Sequence, residues 1–420
     1  MQRLKKTIQN YEDEIYTALY NDLNKTKTES YMSEVGMVYS ELDYMIRHMA
    51  QYAKKKRVHT PLAQFHATSY IQPCPKGNVL IMSPWNYPFL LTLDPLIDAI
   101  AAGNTVLIKP SAYAPATADM IKKIIETSFD SQYVAVVTGG RKENQALLDQ
   151  KFNHIFFTGS QAVGKEVLKK ASEYFTTVTL ELGGKSPCIV EKSADIALAA
   201  KRIVFGKLLN CGQTCVAPDY VYCDASIQDE LVQALIKEYQ NQYDGNGKII
   251  NEKHFERLTK LLQTNEVIYG GKFDASTLKI EPTLLQSTPA SEIMKDEIFG
   301  PILPILTYTD IQEVKDYILS RSCPLALYIF SKNKEIIQDF TKTIPYGGGC
   351  VNDTMIHLAS TQMGFGGCQE SGMGSYHGQV GFDTFTHYKS IVDKKNWIDL
   401  PIRYQPYSSL KEKWIRFFMK

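Results

Sequence analysis

The chain has 420 residues, 44% hydrophobic and 22% charged, enough to bury a large core and more than one compact domain usually holds. Its 46 Lys and Arg balance 45 Asp and Glu, which excludes a global field for nucleic acid, an anionic membrane or a strongly acidic substrate, so a local site must carry the function. Glu12, Asp13 and Glu14 stand where a secretion signal needs its apolar run, and no stretch approaches the roughly 18 apolar residues of a bilayer span, so a soluble, cytoplasmic protein is expected.

Residues 1–57 place Leu4, Ile8, Tyr11, Ile15 and Leu19 at helical spacing and read as amphipathic helices. Val58 to Pro75 has little helical period, contains Pro61 and Pro73, and predicts an extended arm or hairpin able to pair outside its own domain. From Gly77 onward the β-type runs NVLIM, TVLIK, YVAVV and HIFFTG alternate with helical DPLIDAIAAG and ATADMIKKIIETS. Nearly continuous apolar strands alternating with helices predict a parallel sheet covered on both faces, the architecture of a nucleotide-binding α/β domain. After LELGGKSPCIV the alternation resumes: a capped helix from Ser193 or Asp195 through Leu209, then the strands YVYCD, EPTLL, LPILTY and ALYIF. A second α/β domain is expected there, with the boundary marked by Gly183 and Gly184.

Eight cysteines at positions 74, 188, 211, 215, 223, 323, 350 and 368 lack CxxC spacing, so reduced thiols are expected rather than disulfides or zinc. The eight histidines show neither HExxH nor clustered ligand spacing, and no metal is expected. The glycines at 347 to 349 and within MGFGGCQESGMGSYHG read as tight turns. Three segments could carry chemistry. In NCGQTCVAPDY, Cys215 follows a helix that stops at Gly212, where a thiol can be exposed as a nucleophile must be, whereas Cys211 reads as packing. In TVTLELGGKSP, Glu181 ends an apolar strand, which fits a structural ion pair or a catalytic base equally. HIFFTGSQAVG runs from a strand through a Gly and Ser turn into a helix, offering backbone N–H groups to a phosphate without a GxGxxG pattern.

Seven motifs in order, PWNYPF (84–89), IKPS (108–111), FTGSQAVG (157–164), LELGGKSP (180–187), GQTCVAPDY (212–220), EIFGPILPI (297–305) and SGMGSYHG (371–378), resemble the aldehyde dehydrogenase superfamily nearly end to end. GQTCVAPDY and SGMGSYHG look like its class 3 or fatty-aldehyde branch. The resemblance implies NAD(P)-dependent oxidation of an aldehyde to the acid, with Cys215 as nucleophile, Glu181 as general base, and the Asn86 side chain with the Cys215 N–H as oxyanion hole. It places Lys109 and Ser111 at the adenosine ribose or its phosphate, the turn of Gly159, Ser160 and Gly164 under the pyrophosphate, and Glu297 at the nicotinamide ribose, with Trp85, Leu182 and Phe299 shaping the cleft. Ala112 stands where the family often has a Glu that would repel a 2′-phosphate, which makes NADP more acceptable.

The implied fold is a Rossmann-like cofactor domain (1–57 and 76–183), a second α/β catalytic domain (184–370), a return segment (371–385), and a small β oligomerisation domain from the arm 58–75 and the tail 386–420. Class 3 relatives imply a homodimer, and the apolar tunnels of that branch imply medium or long aliphatic or aromatic aldehydes. The basic, aromatic tail LKEKWIRFFMK could touch a membrane surface, but docking on its own protein is the favoured expectation. The competing readings are a cysteine esterase or acyl transferase, opposed by the dinucleotide motifs, and a non-catalytic binding relative, opposed by intact Cys215, Glu181 and Asn86.

Overall fold

Three main sheets organise residues 1–419, the part of the chain that the computed structural model describes. The first has six strands in the order Gly372–Met373, Thr177–Leu182, His154–Gly159, Asn78–Met82, Thr105–Lys109, Val134–Val136. The last five run parallel, and Gly372–Met373 pairs antiparallel at the edge. Val79 to Met82 and Ile155 to Phe157 are buried along their whole run, as the continuous apolar pattern predicts for strands covered on both faces. Helices Leu90–Ala101, Pro115–Ser128 and Gln161–Ser172 pack on this sheet, and the amino-terminal helices pack on the first two of these.

Strand order reverses beside Asn78–Met82. The chain first builds outward to Thr105–Lys109 and Val134–Val136, then returns on the other side with His154–Gly159. In open α/β sheets a ligand crevice opens outside the carboxyl ends of the strands at such a reversal. Trp85 and Asn86 follow one of the two strands and Gly159 ends the other, so the predicted cofactor motifs converge there.

From Leu182 the chain crosses through Gly183–Ser186 to the second sheet, in the order Glu266–Tyr269, Thr283–Gln286, Ile302–Tyr308, Tyr220–Asp224, Pro187–Val190, Ala326–Phe330, Gly348–Val351. All of it is parallel except Glu266–Tyr269. The helix expected from Asp195 runs Ile196–Leu208, its amino end capped by the Asp195 carboxylate. Gly348 and Gly349 are not in a tight turn: they lie in an edge strand, where a Cβ on Gly349 would sit 2.0 Å from the Leu327 carbonyl oxygen. The glycines there permit close strand approach.

The arm joins a third sheet. Ala67–Pro75 pairs antiparallel with Thr386–Lys394 from Pro75 opposite Thr386 to Ala67 opposite Lys394, and Lys56–Val58 flanks it, starting two residues before the expected boundary. The tail forms a helix, Ser409–Phe418, that leans on Leu62–Gln64 and Pro401–Arg403 with no residue buried. The expectation of eight reduced cysteines needs correction: Cys323 and Cys368, 45 positions apart, are joined with their Cα atoms 6.5 Å apart. Spacing along the chain hid a pair that only the folded chain brings together.

Candidate active site

Cys215 is delivered by a sharp reversal. After helix Ile196–Leu208, Asn210, Cys211 and Gly212 all take positive φ of 52°, 53° and 68°. A Cβ on Gly212 would lie 2.3 Å from the Gly300 carbonyl oxygen, so glycine is required by both space and dihedral angle. The Gln213 carbonyl accepts from Asn86 Nδ2 and from Asn210 Nδ2, each at 3.1 Å, and Asn210 Nδ2 also reaches the Asn86 carbonyl at 2.7 Å. Lys25 Nζ donates to that carbonyl at 3.0 Å and to Glu34 at 2.5 Å, while the other Glu34 oxygen accepts from the Phe89 and Leu90 N–H groups. Tyr87 and Thr214 hydroxyls meet at 2.7 Å, and Tyr328 donates to the Val216 carbonyl. The nucleophile loop and the Asn86 loop are thereby locked together.

The Cys215 thiol borders an apolar cavity of about 240 Å³ lined by Met32, Met37, Leu90, Leu91, Phe205 and Leu209, with Tyr376 and His377 on its wall. Burial pushes the thiol up from its ordinary range, and the carboxyls of Glu297 and Glu181 push further, while the backbone N–H groups of Cys215 and Val216 oppose them. His377 holds φ at +86°, a conformation L side chains rarely adopt. Such strain costs about 1–3 kcal/mol and persists where the surroundings enforce it.

Glu181, opposite Gly372 and Thr158 in its sheet, is 3% exposed. Neither carboxylate oxygen has a hydrogen-bond partner, and no cation pairs with it among the described residues. The structural ion pair left open by the sequence is therefore absent. Burial alone raises this carboxyl well above its usual range.

At the strand reversal a cleft of about 590 Å³ is lined by Ser160, Gln161, Gly183, Gly184 and Glu297, among others. Ser160 caps helix Gln161–Ser172, whose amino end opens on the cleft. A Cβ on Gly159 would meet the Phe157 ring at 2.6 Å, and one on Gly164 would meet Leu182 at 2.8 Å. The Glu297 carboxylate fills the space a Cβ on Gly183 would need, 2.2 Å from its Oε2. It is held from behind: Lys185 bonds Asp219 at 2.5 Å and the Ile293 and Asp296 carbonyls, Asp219 accepts the Ile298 N–H, and Arg257 reaches the Ile298 carbonyl. Trp85 meets the Phe299 ring edge-on at 5.3 Å. A helix amino end, glycine-bared backbone and a half-buried carboxylate fit the pyrophosphate and ribose of a dinucleotide.

Lys109 and Ser111 lie beyond this cleft lining, on the far side of Asn78–Met82. Lys109 is buried, its amino group on the Pro110 carbonyl at 2.7 Å and its pKa lowered by burial, with Glu143 opposing the shift; Ser111 accepts from the Tyr113 N–H. Sequence reasoning missed Lys25, Glu34, Lys185, Asp219, Tyr376 and His377. Lys185, Asp219, Tyr376 and His377 stand inside recognised motifs, but nothing in one chain pairs positions 34 apart as Lys185 and Asp219 are paired.

The aldehyde dehydrogenase family model matches residues 1–391. The chain is 46% identical over 430 aligned positions to a 4,4'-diaponeurosporen-aldehyde dehydrogenase of Staphylococcus aureus, covering 100% of this chain and 94% of that one. It is 40% identical to aldehyde dehydrogenase family 3 member A2 of Mus musculus, covering 100% of this chain and 89% of that protein. A solved substrate-bound state of Staphylococcus aureus AldH superposes with a TM-score of 0.97 at 45% identity, covering 100% of this chain and 93% of that one. With its fold and its sequence matching over nearly the full length, the chain belongs to the aldehyde dehydrogenase family and oxidises aldehydes to acids with NAD or NADP.

Proposed function

We propose that Cys215, Glu181 and Asn86 carry this oxidation. The observation that supports it is a thiol at the wall of an apolar pocket, close enough to the partnerless buried carboxyl of Glu181 to feel its charge. The Cys215 thiolate adds to the aldehyde carbon, and the oxyanion is stabilised by the second N–H of the Asn86 amide and the Cys215 backbone N–H, contacts worth roughly 3 kcal/mol each. NAD or NADP, when bound, would supply the hydride acceptor, and Gly159, Ser160, Gly164, Leu182 and Glu297, with Trp85, Phe299, Lys109 and Ser111, are the residues that would hold it. The acyl group then remains on sulfur as a thioester. Glu181 takes a proton from water, hydroxide adds to the acyl carbon, and the tetrahedral adduct expels the Cys215 thiolate and the acid.

The apolar cavity supports medium or long aliphatic or aromatic aldehydes, in keeping with a relative named for a long polyene aldehyde. We further infer a cytoplasmic homodimer joined through the small sheet, whose strand Thr386–Lys394 has one edge unpaired. Cys215→Ala is expected to abolish NAD(P)H production from medium-chain aldehydes while dinucleotide binding, read by fluorescence, persists. Steady NAD(P)H production by that variant would overturn the assignment.

A further inference from the structure

The apolar cavity at Cys215, about 240 Å³, lies below the roughly 300–1,000 Å³ of sites that enclose a whole small-molecule ligand. A long aldehyde that offers its carbonyl to the sulfur must therefore extend beyond it. A second pocket of about 400 Å³ adjoins the first, and Met32, Phe205 and Leu209 line both. Met32 is 47% exposed and Phe205 38%, so what divides the two pockets is an open ridge of side-chain tips and not packed core. Met32 belongs to the π-helical turn Tyr31–Val35, which stands between helices Lys27–Ser30 and Gly36–Tyr52, and both Met32 and Ser33 of that turn border the Cys215 cavity. Single π-helical turns are frequent at functional sites.

The two pockets differ in chemistry. The second keeps apolar Leu208, Ile280 and Pro282 in its wall but adds Thr28, Glu29, Gln242, Tyr243 and Asp244. Glu29 lends one carboxyl oxygen to the Asn210 N–H at 2.7 Å, and no other donor among the described residues reaches that carboxyl. Asp244 is exposed and accepts the Asn246 N–H at 3.0 Å, which leaves its second oxygen available. Burial raises the Glu29 carboxyl above its ordinary range and Lys25 opposes that shift, but a carboxyl accepts a hydroxyl proton in either state. The nearby lysines are occupied elsewhere: Lys25 bonds Glu34 and the Asn86 carbonyl, Lys248 the Asn21 carbonyl, and Lys279 the Gly245 carbonyl. No lysine, arginine or histidine among the described residues lines the pocket. Acceptors in excess with no facing cation suit a hydroxyl group and repel a carboxylate.

The geometry points to the second pocket as the subsite for the far end of the substrate, selecting aldehydes whose apolar chain ends in a hydroxyl group. The carbonyl lies at Cys215, the chain crosses the ridge of Met32 and Phe205, and the terminal hydroxyl donates to Glu29 or Asp244. Met32, unbranched and flexible, lets the ridge adapt to the chain that lies on it. A site built to bond a hydroxyl discriminates because its own polar groups are left unpaired when that hydroxyl is missing. This deepens the aldehyde oxidation proposed for Cys215 and rests on that reading.

The test uses the full-length enzyme and follows NAD(P)H production from hexanal, dodecanal, ω-hydroxydodecanal and the ω-carboxylate of the same length. ω-Hydroxydodecanal is expected to show a KM about tenfold below that of dodecanal, the worth of a hydrogen bond to a charged group, with kcat alike because the contact is equal in ground and transition states. The ω-carboxylate should gain nothing. The double variant Glu29→Gln, Asp244→Ala, checked for a native melting transition, should bring the KM of ω-hydroxydodecanal up to that of dodecanal. Met32→Trp, which builds up the ridge, should raise the KM of both dodecanals relative to hexanal. Equal KM for the two dodecanals in the normal enzyme, or a hydroxyl advantage that survives in the double variant, overturns the proposal; if the double variant does not fold, Asp244→Ala, at an exposed position, decides in its place. Turnover of hexanal by Cys215→Ala would instead defeat the nucleophile assignment, a failure distinguishable from this one.

Discussion

Replacing Glu181 by Gln removes the proposed base while keeping its volume, and the structure sets what should follow. The carboxyl has no ion pair or hydrogen bond to lose, so the substitution leaves no partner orphaned. It touches hydrolysis and not thiol addition. A positioned general base contributes about 10²–10⁴ in rate, or about 3–5 kcal/mol, so turnover should fall by that factor when thioester hydrolysis limits it. A stopped-flow trace should show one NAD(P)H per active site at close to the normal rate, then near silence. The pH dependence sharpens the test. Because burial raises this carboxyl, turnover of the normal enzyme should climb with pH as Glu181 ionises, and the variant should lose that limb. Stability moves the other way. A folded pKa raised above the unfolded value means the native state binds the extra proton, so stability is full at low pH and falls as pH rises past the unfolded carboxyl value of about 4.3. Glu181→Gln should therefore melt higher than the normal enzyme at neutral pH, with the difference vanishing in acid. Equal loss of burst and turnover would show that Glu181 acts before hydrolysis.

Asn86→Ala should lower kcat by about 10²–10³ through loss of an oxyanion donor, and a kcat within a factor of a few of normal would remove Asn86 from that role. Gly183→Ala puts a Cβ 2.2 Å from a Glu297 carboxylate oxygen. Displacing Glu297 should cost on the order of 10²-fold in kcat/KM for the dinucleotide, and titration with each cofactor would expose a site that tolerates it. Lys25→Met leaves Glu34 buried without its cation, their side chains now 1% and 0% exposed. Chemical denaturation should show a loss of about 3–5 kcal/mol, whereas a loss under about 1 kcal/mol would mean the pair behaves like a surface one.

The two α/β halves were legible because strands buried on both faces read as unbroken apolar runs, and NVLIM, HIFFTG and ALYIF are such runs. Their order in the sheets was not legible: nothing in NVLIM states that HIFFTG, about 75 residues later, is its neighbour. Cys215, Glu181 and Asn86 were named through motif resemblance, since the residues alone left Glu181 undecided. The scaffold behind them was hidden for a physical reason. Lys25 with Glu34 and Lys185 with Asp219 are charge pairs across different segments, and the charge of one residue carries no mark of its partner. The Cys323–Cys368 link escaped on the same ground.

The coupling between Cys215 and Glu181 orders the chemistry in time. A thiolate on Cys215 and a carboxylate on Glu181 repel, so each charge makes the other harder to form. While the sulfur is a thiolate, therefore, ionising Glu181 carries an added repulsive cost beyond that of burial. Acylation converts the thiolate to a neutral thioester and removes that repulsion, so the proton leaves Glu181 more readily in the acyl-enzyme than beside the thiolate. A base that becomes available only after acylation cannot spend itself on water earlier in the cycle, when hydroxide in the pocket would compete with the thiolate for the aldehyde.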